Sequence, residues 1–179
     1  EYRRVLFRSD QKGRAVPVIA AGGIYTGEDI KKFLDLGASG VQMGTRFVAT
    51  KECDADDRFK QSYIAAREED ITIIKSPVGM PGRALQNDFI EAARQGNKKP
   101  FKCVFHCVHT CGQEKTPYCI AQALISAMKG NLERGFAFCG ANVARVNSIV
   151  SVKELMESLQ QEFDQTISKG KQTLQGLLK

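Results

Sequence analysis

The apolar residues fall into short runs and helical stripes whose order predicts an α/β architecture. Val16 to Ala21 is a nearly continuous apolar run, as expected of a parallel strand covered on both faces. Gly22 and Gly23 break it. Thr26 then offers a helix N-cap, with Glu28 and Asp29 in the first turn, where the helix dipole favours acids. Ile30, Phe33 and Leu34 share one face at i, i+3, i+4, and Gly37 supplies the stop. Gly40 to Met43 reads as the next strand, ended by Gly44. The unit is strand, helix, strand, which implies parallel strands joined by a right-handed crossover.

The remaining pattern is less regular. Lys51 to Ala66 predicts a helix carrying Phe59, Tyr63 and Ile64 on one side, and Ile71 to Ile74 a short strand. "SPVGMPGRALQN", punctuated by proline and glycine, reads as a loop. Thr116 and Pro117 open a helix through Met128, closed by Gly130. Ser151 with Glu154 forms a capping box for a helix placing Val152, Leu155, Met156, Leu159 and Phe163 on one face. Residues after Ser168 read as a frayed tail.

Composition narrows the class. With 42% hydrophobic and 26% charged residues the chain has an ordinary globular balance, and no run of about 18 apolar residues suggests a membrane span. The net charge of +6 is spread rather than gathered into a basic stripe with interleaved aromatics, which argues against nucleic-acid binding. Nothing near the start reads as a secretory signal, and six cysteines without one point to a reducing, cytoplasmic compartment. "RRVLFRS" (Arg3 to Ser9) is what one frame of a widely used sequencing-library adapter encodes; residues 1–9 are read as non-native, and the chain as a truncated reading frame.

Both glycine corners follow the carboxyl ends of their strands, where α/β proteins bind ligands. A missing Cβ lets backbone N–H groups approach phosphate oxygens closely, and (β/α)8 barrels commonly build a phosphate site from the loops after their last two strands. Two such corners in consecutive units, one followed by Thr45 and Arg46, predict one shared phosphate.

"PVIAAGGI" followed by "GASGVQMGTRF" resembles the last two barrel strands of the nitronate monooxygenase (2-nitropropane dioxygenase) family, which includes the flavin-dependent enoyl-acyl carrier protein reductase II. The likeness extends more loosely through "SPVGMPGRALQN" and "TPYCIAQAL…GFAFCGAN". It implies an α/β chain that is the C-terminal fragment of a TIM (β/α)8 barrel with a helical C-terminal extension. Residues 10–51 would supply the last two βα units, 52–99 a helix and a substrate-side insertion, 100–168 a cysteine-rich segment and the C-terminal helices, and 169–179 the tail. Carried over, Gly23, Gln42, Met43, Gly44 and Thr45 would contact FMN, with Gly22 a neighbour. The implied function is oxidation of nitronates with dioxygen; the alternatives are reduction of enoyl thioesters and a flavin- or phosphate-binding module without chemistry. The implied partner is a small-molecule substrate. The family's catalytic histidine belongs to an upstream glycine-rich stretch absent from this chain, and His106 and His109 do not match it.

"CVFHCVHTCGQEKTPYC" is the other unusual stretch. Cys103, Cys107 and Cys111 lie four apart, compatible with one helical face, and Cys119 could return from the start of the next helix. Four thiolates at short spacing can hold tetrahedral zinc or an iron–sulfur cluster, with a close approach of at least three sulfurs expected. The spacing is neither the zinc-knuckle nor the ferredoxin pattern, so a stretch of buried core thiols is the competing reading. Cys53 and Cys139 stand alone and are expected to pack.

Overall fold

The computed structural model describes residues 13–97, 101–107, 111 and 116–177, so the segment read as adapter-derived lies outside it. The described chain divides into two compact units, one formed by residues up to Met43 together with Ser151 onward, the other by Gly44–Val150.

The first unit contains the strand–helix–strand motif. β1 (Ile19–Ala21) and β2 (Gly40–Gln42) pair in parallel with Ile19 opposite Gly40 and Ala21 opposite Gln42. Between them runs α1 (Gly27–Asp35), begun by the expected N-cap, which the structure completes to a capping box: Thr26 Oγ1 accepts from Asp29 N–H, and Asp29 Oδ2 accepts from Thr26 N–H. The helix ends at Leu36, and Gly37 takes a left-handed φ of 92°. Ala20, Ile24 and Ala38 form a small core with Ile30, Phe33, Val41 and Met43 against it. The expectation of a strand covered on both faces does not hold for β1. Val16 is 46% and Ile19 54% exposed, because among the described residues β1 pairs only with β2 and no closed barrel forms around it.

α6 (Val152–Leu177) packs on α1. Ser151 and Glu154 form the expected capping box, and Leu155 and Leu159 are buried. Two expectations change here. Met156, placed on the buried stripe by spacing, is 53% exposed, and the helix continues through the stretch read as a tail. Glu162 Oε2 accepts from Gly27 N–H at 2.7 Å, so a carboxylate from α6 sits at the positive end of α1. A side chain at Gly27 would collide with the backbone of Leu159 and Phe163, which is why glycine stands there.

The second unit opens with α2 (Thr45–Val48) and α3 (Asp57–Ile64); residues 51–56, expected to be helical, are not, because Asp56 caps α3 by accepting from Arg58 N–H. The proline- and glycine-rich stretch read as a loop is half of a hairpin. β3 (Ile71–Lys75) pairs antiparallel with β4 (Pro81–Leu85), Ile71 opposite Leu85 and Lys75 opposite Pro81. Backbone bonds from Leu85 N–H to Ala137 O and from Cys139 N–H to Arg83 O lay residues 137–139 along β4. α4 (Asp88–Arg94), absent from the sequence reading, is capped by Asn87 Oδ1 on Ile90 N–H, while Asn87 Nδ2 donates to Leu132 O and Gly135 O. α5 (Ile120–Met128) begins three residues beyond the expected Pro117. The core of this unit gathers Ile74, Ala84, Phe89, Ile90, Tyr118, Ile120, Ala123 and Phe136.

Candidate cofactor site

The parallel register of β1 and β2 fixes where the two corners begin. Ala21 lies opposite Gln42, so Gly22 and Met43 leave the paired strands at the same, carboxyl, end. Gly22 (φ 87°) and Gly23 (φ 72°) are left-handed, a conformation that glycine adopts without penalty. A Cβ built on either would meet no atom within 4 Å, so chain conformation explains these glycines and leaves open space beside them.

Gly44 differs. Its φ of −120° is open to any residue, and a Cβ there would also meet nothing within 4 Å. Neither local conformation nor described packing calls for glycine at this position. Gly44 is exposed, as is Gln42, while Met43 is half-buried. Thr45 is held from one side: its Oγ1 accepts from Gly140 N–H at 2.8 Å. A hydroxyl that accepts at its oxygen keeps its single proton for an acceptor elsewhere. Gly140 was missed in the sequence reading; the glycine in "GFAFCGAN" was the available signal.

Behind this contact lies Cys139, whose thiol burial pushes up to about 11, partly opposed by the Arg83 guanidinium. Tyr63 donates its hydroxyl proton to Phe138 O, and burial pushes its pKa upward too; Tyr118 is pushed up to about 12 by burial. The sign follows from proton counts. Above about pH 9, the ordinary thiol value, the unfolded chain sheds the Cys139 proton while the folded chain keeps it until about 11. Stability should therefore be level at neutral pH and fall between about 9 and 11, with Tyr118 extending the fall from about 10 to 12. Cys139→Ala should delay the onset of that fall, as read from urea midpoints at several alkaline pH values; an unchanged onset would show that Cys139 contributes nothing.

The cysteine expectation is corrected in part. Residues 101–107 are irregular rather than helical, so no single helical face aligns Cys103 with Cys107. Among the described residues no group of three His, Cys, Asp or Glu is placed to hold a metal ion, so the expected convergence of three sulfurs is not seen. Cys119 does stand at the start of the next helix, as the N-cap of α5. All six cysteines are free; Cys53 and Cys139 are half-buried. His109 lies outside the described residues.

The strand–helix–strand unit belongs to the α/β class, in which ligands bind beyond the carboxyl ends of the strands. The family model described as nitronate monooxygenase matches residues 5–162, and the chain belongs to that family. A Rhodococcus jostii protein named (3aS,4S,5R,7aS)-5-hydroxy-7a-methyl-1-oxo-octahydro-1H-indene-4-carboxyl-CoA dehydrogenase is 42% identical over 77 residues, 43% of this chain and 22% of that protein. A Staphylococcus haemolyticus protein named probable nitronate monooxygenase is 38% identical over 89 residues, 49% of this chain and 25% of that protein. FabK from Thermotoga maritima superposes with a TM-score of 0.70 at 29% identity, over 90% of this chain and 49% of that one. The chain thus spans about half the length of that solved relative. Family members are flavin-dependent oxidoreductases, and among the described residues no helix is long and apolar enough to cross a membrane.

Proposed function

We propose that the protein to which this chain belongs is an FMN-dependent oxidoreductase that oxidises nitronates with dioxygen, its FMN phosphate held by Gly22, Gly23, Gln42, Met43, Gly44 and Thr45. The observation that carries the reading is Gly44, a glycine that neither its φ nor any described neighbour requires, two residues after the end of β2. A bound anion approaching the backbone supplies the missing reason. The amide of Gly27 is already taken by Glu162, so the phosphate would rest on the corner amides rather than on the first amide of α1. Thr45, fixed by Gly140, would turn its hydroxyl proton to a phosphate oxygen. When bound, FMN supplies the electron transfer, taking electrons from the substrate and passing them to dioxygen. The catalytic base and the remaining barrel strands would come from the rest of the protein. Six free thiols suit a reducing compartment, and the cytoplasm is the proposed location.

In the full-length protein, Gly44→Val should raise the dissociation constant for FMN about tenfold or more, ~1.4 kcal/mol, with the thermal midpoint of the flavin-free protein nearly unchanged. Wild-type flavin affinity in the variant would remove Gly44 from the site. A second reading, oxidoreduction of acyl thioesters, is favoured by the CoA thioester in the Rhodococcus relative's name and by the superposition on FabK. Oxygen uptake with a nitronate supports the first reading, nicotinamide oxidation with an enoyl thioester the second, and flavin binding without either turnover a binding module alone.

A further inference from the structure

We infer that Cys103, Cys107, Cys111 and Cys119 ligate a polynuclear iron–sulfur cluster in the cavity they line. That cavity, of about 300 Å³, is lined by all four of these cysteines with His106, Phe101 and Ile120. Cysteines scattered as core packing would not all face one space. Tetrahedral zinc draws its ligands to a point, with Zn–S bonds of about 2.3 Å. The four residues share one cavity, and no three of the described ones are placed to hold a single ion, so the group assigned is the larger one, whose ligands stand apart at its corners.

Two further features point the same way. His106 has a φ of 43°, the left-handed exception among the described non-glycine residues, a strain that surrounding structure must hold in place. Cys119 is the N-cap of α5 yet makes no side-chain capping bond, so its thiol is not spent on the cap of a helix end that favours negative charge. A cluster held by four thiolates is an anionic group that would use both properties. It is taken up whole: each cysteine sulfur forms one S–Fe bond, one thiolate of the donor leaves, and the cysteine proton goes with it. No net oxidation or reduction accompanies the exchange.

The test uses the full-length protein, prepared without oxygen and incubated with a preassembled, thiolate-ligated four-iron cluster. Iron and acid-labile sulfide should each reach about four per chain, with absorbance near 400 nm after correction for flavin. Cys107→Ala with Cys111→Ala should lower both contents severalfold, whereas Cys53→Ala, outside the cavity, should leave them unchanged. Protection of wild-type cysteines from iodoacetamide, read by mass spectrometry, needs no variant: cluster loading should shield the four cavity cysteines and leave Cys53 as reactive as before. Absence of iron and sulfide, zinc alone at one per chain, equal loss in Cys53→Ala, or unshielded cavity cysteines would each overturn the assignment.

Discussion

Phe136→Ala should destabilise the protein by about 3–5 kcal/mol, the largest loss expected of any single apolar truncation here. Phe136 is fully buried at 0% exposure. Its ring lies 6.0 Å from Phe89, 5.9 Å from Tyr118 and 5.0 Å from Phe138, centroid to centroid. Those rings come from α4, from the residue before the α5 N-cap and from the segment running beside β4, so one side chain joins three elements of the second unit. Truncation removes buried apolar surface, opens a cavity and breaks three aromatic pairs together. Phe136→Leu, which retains most of the volume, should cost clearly less. Urea midpoints of the three proteins give the comparison; a loss under about 1 kcal/mol in the alanine variant would mean that the cluster repacks around the gap.

What could be read from sequence was local. Thr26 and Asp29 cap α1 through bonds spanning three residues, and the same holds for Ser151 and Glu154 at α6. The two strands with their glycine corners were legible because a parallel pair joined by a helix is compact in sequence. The hairpin was not. Pro81 and Gly82 argue for a loop on local grounds, but Pro81 is the first residue of β4, and Gly82 gives way to the Phe138 ring, 56 residues on in the numbering, whose Cδ1 and Cζ would lie 3.2 Å from an added Cβ. Met156 failed for a related reason: spacing marks a stripe, while the width of the partner decides how much of it is covered. The cysteine spacing suggested helix, and the irregular backbone with left-handed His106 overrode it, although all four cysteines still reach one cavity. In the proposed cofactor site the glycines were legible, and Gly140, which fixes Thr45 from 95 residues away, was not.

Gly135→Ala is the second large expected effect, and it differs in kind from the glycines of the proposed cofactor site. The φ of Gly135 is −167°, extended backbone that alanine adopts freely, so conformation gives no reason for glycine. Packing does. An added Cβ would overlap Ala123 O and lie 2.8 Å from Ala123 C and 3.0 Å from Ala127 N, all backbone atoms of α5. A helix backbone cannot turn aside as a side-chain tip can, so α5 or residues 132–135 must move as a body. Movement of Gly135 is opposed from its carbonyl, which accepts from Asn87 Nδ2 at 2.8 Å, and that same amide also holds Leu132 O. Shifting Gly135 therefore disturbs the cap of α4 as well as the seat of α5, and its neighbour Phe136 is the centre of the aromatic core. A loss of about 3 kcal/mol, at the upper end for an overpacked site, is expected from urea unfolding. Gly44→Ala, adding the same methyl group where no described atom lies within 4 Å, should change stability by less than about 0.5 kcal/mol. Equal losses in the two variants would contradict the distinction between a glycine kept for helix packing and one kept for a ligand.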